Sequence, residues 1–179
     1  MIHIEATGGI KKDRELAEDV MWFCMDILMP RMRTLCIDLE FTKTLEDGAK
    51  GFAYMGDDDK HIIIQIDYRL GRIKGEGQDQ LIETVAHEMV HVWQMATGRL
   101  KDKFRGGYKQ LWKCKDGKYR NYNKTSYKRQ PWETQAYALE GQLTELFFIQ
   151  NYSLFLKKKV DKPYLFMYTS NIIKRESLI

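Results

Sequence analysis

The chain has 179 residues, of which 44% are hydrophobic, and its net charge at neutral pH is only +4. This size and composition suit one domain, 1–179, with a core over about 13–150 and a C-terminal extension over 151–179. The sequence has no run of about twenty apolar residues and no basic start leading into a hydrophobic segment, which argues against a membrane or secreted protein and favours a cytoplasmic location.

The three cysteines, Cys24, Cys36 and Cys114, are odd in number and widely spaced. Without a C-x-x-C pair, neither a disulfide framework nor a cysteine zinc cluster is expected. Cys24 and Cys36 lie in apolar stretches, so we expect them to be small buried hydrophobic residues. His3 and His61 belong to no ligand pattern, and we expect both to be ordinary surface residues.

The first third of the chain changes from a helical to an extended pattern. Residues 1–12 include two adjacent glycines and are expected to form a leader strand or arm. From Asp13, apolar residues recur every three or four positions, which predicts an amphipathic backing helix. Three short extended segments then follow, at 35–45, 51–56 and 61–67. Their short connecting turns predict a small, mainly antiparallel three-stranded meander.

Residues 78–97 are predicted to form a helix that stops at Gly98 and carries the pattern H-E-x-x-H at His87, Glu88 and His91. On a helical wheel the apolar residues cover all but one polar strip. This strip contains Glu83, Thr84, His87, Glu88, His91 and Gln94. Two imidazoles one turn apart on the same face can reach a single metal ion, with the glutamate beside it.

Residues 101–129 contain eleven lysines or arginines against two aspartates, with six aromatic residues among them. The turn sequence Lys115-Asp-Gly117 predicts a hairpin in this segment. Aromatic residues among basic ones suit base stacking and phosphate contact, so DNA or RNA is a candidate partner. A solvated basic hairpin is the alternative, and the sequence does not separate the two.

A further helix is predicted from Pro131 to about Gln150. One face of it carries Glu133, Tyr137, Glu140 and Thr144. A hydrolytic zinc site usually takes three protein ligands, and no histidine follows His91. We therefore expect a carboxylate ligand from this helix, with Glu133 favoured. Glu140 is the rival ligand, or otherwise a residue that orients a histidine.

Such a site would activate water and polarise a carbonyl group, with Glu88 taking the proton as general base. The oxyanion would need one further donor. Tyr137 is our working choice for this catalytic role, and Tyr127, Tyr54 and an arginine of residues 101–129 are alternatives. A peptide substrate is expected to add as a strand to an exposed sheet edge.

The stretches TVAHEMVHVWQ at 84–94 and PWETQAYA at 131–138 resemble zincin metallopeptidases of the gluzincin kind, whose third ligand is a glutamate on a second helix. The order of helix, strands, motif helix, hairpin and glutamate helix is similar to the minimal gluzincin core over about 13–150. The motif helix also resembles that of SprT-like proteins, a group linked to proteolysis near DNA and common in phages and bacteria. Their third ligand is normally a later histidine, which this chain lacks.

These resemblances imply an α+β fold and a zinc metallopeptidase that hydrolyses proteins or peptides in the cytoplasm of a cell or of a phage host. The expected ligands are His87, His91 and Glu133. The alternative function is a nucleic-acid-associated binding protein with a structural metal and a working surface at 101–129.

Overall fold

The computed structural model describes residues 1–43, 45, 48–73, 76–103 and 109–157, without the side chains of 152–157. Its strands are β1 (Ile2–Gly8), β2 (Leu35–Thr42), β3 (Gly51–Met55), β4 (His61–Asp67), β5 (Leu100–Lys103), β6 (Lys109–Lys113) and β7 (Tyr119–Asn121). Its helices are α1 (Lys11–Leu28), α2 (Gly77–Ala96) and α3 (Pro131–Lys157). The predicted α+β class is confirmed. Of the predicted extension at 151–179, all beyond 157 lies outside the described ranges.

None of the helices within the described ranges is long and apolar enough to cross a lipid bilayer.

The larger sheet has the strand order β1-β2-β4-β3. Strand β2 pairs in parallel with both β1 and β4, whereas β3 pairs with β4 in antiparallel. The inward side chains include Ala6, Leu35, Ile37, Leu39, Phe41, Ile62, Ile64 and Ile66, all of which are buried. One face of the sheet therefore forms the floor of the core, and the other carries polar and half-exposed side chains.

The predicted antiparallel meander is wrong in two respects, although its β3–β4 hairpin is antiparallel as expected. Strands β2 and β4 are parallel, and the sheet has four strands instead of three. The fourth is β1, so of the leader strand or arm expected over residues 1–12 the structure has the strand. Alternation of apolar and polar residues determines which side chains face the core, but it does not identify the partner strand. Parallel pairing of β1 with β2 requires a long crossover, which α1 supplies.

Helix α2 lies at the centre of the molecule, with contacts to α1, α3, β3 and β4. Its apolar side is buried, and so is its polar strip except for Glu83. Helix α3 covers this strip and reaches α1, where the rings of Phe23 and Phe147 meet edge to face with centroids 5.4 Å apart. The predicted motif helix, apolar except for one polar strip, is therefore confirmed, and it crosses the core.

The smaller sheet consists of β5, β6 and β7 in antiparallel order. The predicted hairpin is formed by β6 and β7, and β5 adds a strand that was not predicted. The rings of Trp112 and Tyr122 pack on Trp132, with centroids 6.5 Å and 6.3 Å away. Because Trp132 precedes Glu133, the basic sheet supports the first turn of α3.

The prediction that Cys24 and Cys36 are buried is confirmed for the first and wrong for the second. Cys24 is fully buried in the core, as predicted. Cys36 is only half-buried, because it alternates with Leu35 and Ile37 and so faces the outer side of the sheet.

Candidate metal centre

Three side chains from α2 and α3 meet in a buried site between the two helices. His87 and His91 are 8% and 7% exposed, and Glu133 is 4% exposed. The Nε2 atoms of the two histidines are 3.2 Å apart. Glu133 Oε2 lies 3.3 Å from His87 Nε2, and Glu133 Oε1 lies 3.4 Å from His91 Nε2. The structure thus brings together the three residues predicted as ligands.

The spacing of these donor atoms fits a metal ion. Zinc bonds of about 2.0–2.1 Å at tetrahedral angles place neighbouring donors about 3.3–3.4 Å apart. Within the described part of the chain no donor satisfies Glu133 Oε2 by a hydrogen bond, although this atom is buried. A buried carboxylate oxygen that accepts no hydrogen bond is costly, and a bound cation would remove that cost. The group can therefore hold a metal ion.

The orientation of His91 is determined by Gln94. The Gln94 amide nitrogen donates to the carbonyl of Trp132 at 3.0 Å and to Gln135 Oε1 at 3.2 Å. Its Oε1 is therefore the atom that faces His91 Nδ1, at 2.9 Å. Since that oxygen only accepts, Nδ1 of His91 carries a hydrogen, and the Nε2 lone pair of the neutral ring points into the site.

The orientation of His87 is determined by Glu140. The Nδ1 atom of His87 donates to Glu140 Oε2 at 2.5 Å. Glu140 thus lies on the Nδ1 side of the ring, whereas Glu133 lies on the Nε2 side. This is the position of a residue that orients a metal-binding histidine, the second of the two roles considered for Glu140.

Without a metal, the site favours the protonated forms of its imidazoles. Burial opposes a charge on His87, but Glu133 and Glu140 outweigh it and raise the pKa of His87 to about 10. Burial likewise lowers the pKa of His91 and Glu133 raises it, and the net effect is a raised pKa. Burial alone would raise the pKa of Glu133, but the two imidazoles lower it to about 2. The carboxylate is therefore ionised and ready to bind a cation.

Glu88 lies beside the two histidines and is 4% exposed. Burial raises the pKa of its carboxyl group, and the positive charges of His91 and His87 only partly oppose this. Its Oε1 lies against Gly51 at the start of β3, where an added Cβ would be 2.7 Å away. Glu88 is thus a strengthened base held where the edge strand meets α2.

Two of the tyrosines considered as donors lie near the site. The Tyr137 ring packs edge-on against the ring of His87 with centroids 4.9 Å apart, and the residue is 44% exposed. The Tyr127 hydroxyl interacts with the Glu133 carboxylate, and burial followed by that charge raises the pKa of Tyr127. Tyr54 is paired with Ile63 on the outer sheet face, so it is not part of this site.

Gln94, Gln135 and Gly51 contribute to the site but were not among the predicted site residues. Gln94 belonged to the predicted polar strip, three positions after His91, so its spacing was a usable signal. The contributions of Gln135 and Gly51 depend on contacts between separate elements and leave no local pattern.

The basic segment at 101–129 uses several of its aromatic residues for packing. Trp112 and Tyr122 contact Trp132, as described above, and the Tyr119 hydroxyl donates to the Gly98 carbonyl. Most of the lysines and arginines in the described part of this segment are exposed. Phe104 and Tyr108, which belonged to the predicted stacking set, lie outside the described residues.

No protein-family model, curated protein or solved structure matches this chain. The assignment of function therefore depends on the chemistry of the site.

Proposed function

We propose that the protein is a zinc-dependent peptidase with a zincin-like core of the gluzincin kind. The observation that supports this most directly is the convergence of His87 Nε2, His91 Nε2 and the Glu133 carboxylate beside a buried Glu88. Two imidazoles and one carboxylate are a donor set that zinc accepts in catalytic sites, where a fourth position stays open to water or substrate.

When bound, zinc supplies a Lewis acid and an acidified water. Glu88 is the residue of this chain that takes up the proton and passes it to the leaving nitrogen. Its raised pKa supports this role, because a carboxylate with a higher pKa is a stronger base and takes a proton from water more readily near neutral pH. Glu140 and Gln94 keep the two imidazoles turned toward the site throughout the reaction.

Tyr137 is the working candidate for the donor that stabilises the oxyanion. It lies at the exposed side of His87, where a substrate carbonyl would enter. Tyr127 is a weaker candidate, because its hydroxyl already interacts with Glu133. We assign Tyr127 to holding that carboxylate in place.

The position of β3 supports an extended peptide as the substrate. Strand β3 is an edge of the larger sheet, with β4 on its other side. Its first residue, Gly51, touches Glu88, so a peptide that pairs with this edge would pass the catalytic base. Pairing through the main chain would hold the scissile bond without requiring a particular side chain.

The decisive experiment replaces Glu88 with Gln and measures both zinc content and hydrolysis of an unstructured protein such as casein. We expect bound zinc to remain and hydrolysis to fall by about 10²–10⁴-fold, the usual contribution of a general base. Glu83→Gln is the matched control, because Glu83 is on the same strip of α2 but exposed. Full activity in Glu88→Gln, with Glu83→Gln also active, would exclude the mechanism.

Contact with DNA or RNA through 101–129 stays a prediction. The exposed lysines of this segment suit phosphate groups, whereas Trp112 and Tyr122 use part of their ring surface to pack on Trp132 of α3. This arrangement favours a supporting role for the small sheet, and nucleic acid is not part of the proposed reaction.

A further inference from the structure

The outer face of the larger sheet carries a row of side chains on three neighbouring strands, all of types that can act as metal ligands. His3 of β1 is directly opposite Cys36 of β2, and Cys36 is directly opposite His61 of β4. Asp38 is the next outward residue of β2. This row lies on the sheet face opposite the buried core, so it is separate from the centre formed by α2 and α3.

Three of these side chains already hold their donor atoms close together. The donors of His3, Cys36 and Asp38 all lie within 4.8 Å of one another. Cys36 Sγ is 3.8 Å from Asp38 Oδ1. A tetrahedral zinc ion with bonds of about 2.3 Å to sulfur and about 2.0 Å to oxygen needs about 3.5 Å between these two donors. Cys36 and Asp38 would therefore close around an ion with a shift of a few tenths of an ångström, and the His3 ring would turn toward it from within 4.8 Å.

His61 holds Asp38 in the orientation that such a site needs. Its Nε2 is 2.8 Å from Asp38 Oδ2, which leaves Oδ1 facing the Cys36 sulfur. The His61 ring packs against Gly56, where an added Cβ would lie 2.6 Å from Nδ1. Ligating carboxylates in metal sites are commonly held by a hydrogen bond of this kind.

The order of these groups does not suit thiol catalysis. A cysteine nucleophile needs the imidazole next to the thiol, with the carboxylate behind the imidazole. Here Asp38 contacts both Cys36, through Oδ1, and His61, through Oδ2. Among the described residues, the interaction that competes for His3 is an exposed pair with Glu5 at 3.5 Å, and such pairs contribute little.

We propose that His3, Cys36 and Asp38 form a second metal site for a zinc-class divalent ion, with His61 orienting Asp38 and solvent completing the coordination. The ion would join the edge strand β1 to β2. Sulfur, nitrogen and oxygen donors together suit zinc and cobalt better than magnesium or calcium. His3, Cys36 and His61 would then have a function that their isolated positions in the sequence do not indicate.

The test is a titration of the metal-free, reduced full-length chain with Co²⁺, followed by absorption spectroscopy. A thiolate bound to cobalt gives a charge-transfer band in the near ultraviolet, whereas the His87, His91 and Glu133 donor set contains no sulfur. We expect this band in the wild type and its loss in Cys36→Ser. Cys114→Ser is the matched control and should keep the band, since Cys114 is also half-buried but lies in the turn between β6 and β7.

Two further variants separate this site from the proposed peptidase centre. Glu133→Gln should keep the cobalt–thiolate band, because the two sites share no ligand. His61→Ala should weaken cobalt binding at Cys36 by about 10–100-fold, as expected for loss of an orienting group. Absence of the band in the wild type, its persistence in Cys36→Ser, or unchanged affinity in Asp38→Asn would overturn the proposal.

Discussion

Gln94 Oε1 accepts a hydrogen bond from Nδ1 of His91, one turn earlier on the same helix. The same side chain donates to the carbonyl of Trp132 and to Gln135, and it is fully buried. One amide therefore selects the tautomer of a proposed metal ligand and attaches α3 to α2. All the polar atoms of this side chain are used, which is what permits a glutamine to lie in the core.

Gln94→Leu removes these interactions while conserving most of the volume. We expect zinc affinity to fall by about 10–100-fold, because His91 is no longer held with its Nε2 toward the site. We also expect a loss of about 1–3 kcal/mol in the free energy of unfolding, since the Trp132 carbonyl loses a buried donor. Competition with a chelator and urea denaturation measure the two effects. Gln78→Leu, at an exposed position in the first turn of α2, should change neither.

The roles of Glu133 and Glu140 can be distinguished by making the same substitution at each position. Glu133→Gln removes a proposed ligand charge and should nearly abolish zinc binding. Glu140→Gln keeps an acceptor for His87 Nδ1, so we expect affinity to fall by only about 10–100-fold. Zinc content after dialysis against a weak chelator distinguishes the two. The exposed Glu145→Gln on the same helix should behave as wild type, and a greater loss from Glu140→Gln would reverse the assignment.

Zinc binding should release protons. Burial opposes the charged ring of His87, but Glu133 and Glu140 prevail and raise its pKa to about 10, so the metal-free ring is protonated at pH 7. Zinc must displace that proton, and apparent affinity should therefore increase with pH up to about 10. Calorimetry at pH 7 in two buffers with different ionisation enthalpies measures the release, and a release near zero would contradict the expectation.

The same pKa shift affects the stability of the metal-free protein. A histidine with a raised pKa in the folded state stabilises that state fully below its ordinary pKa. The contribution is lost as the pH rises through about 10. The metal-free Glu140→Gln variant should therefore lose less stability over this alkaline range than the metal-free wild type.

Gly51→Ala tests the contact between β3 and Glu88, the proposed general base. Its Cβ would lie 2.7 Å from Glu88 Oε1 and 2.9 Å from Thr84 Cγ2, so the glutamate or the strand must move. We expect hydrolysis to fall at least tenfold while zinc content stays unchanged, with a cost of about 1–3 kcal/mol in stability. Gly141→Ala in α3 is the control, because its Cβ meets nothing within 4 Å. Wild-type activity in Gly51→Ala would show that this contact does not position Glu88.

The helices of the site were predictable because each has a long periodic pattern. Helix α2 spans Gly77–Ala96, within one residue of the predicted 78–97, and α3 begins at Pro131 as expected. The absence of later histidines directed attention to Glu133, and the structure places its carboxylate beside both imidazoles. The periodic patterns of the two helices, together with the absence of a later histidine, thus led to His87, His91 and Glu133, although Glu133 lies far from the histidines in the chain.

The sheet was not predictable in the same way. The pattern of Leu35, Ile37 and Leu39 identifies a buried face, but parallel pairing with β1 and β4 depends on how α1 and the β3–β4 hairpin pack. The alignment of His3, Cys36 and His61 follows from that pairing alone. Because these residues come together only through strand pairing, no sequence motif could reveal them.

The small sheet lies in the stretch of chain that links α2 to α3, and it is anchored at Trp132. An ion that joins His91 to Glu133 would cross-link the two ends of this stretch and lower the entropy of the unfolded chain. Chelation would then loosen the smaller sheet as well as remove the proposed metal ion. Trypsin, which cleaves after lysine and arginine, would find its sites in 101–129 more readily, so susceptibility to digestion becomes a measure of metal occupancy.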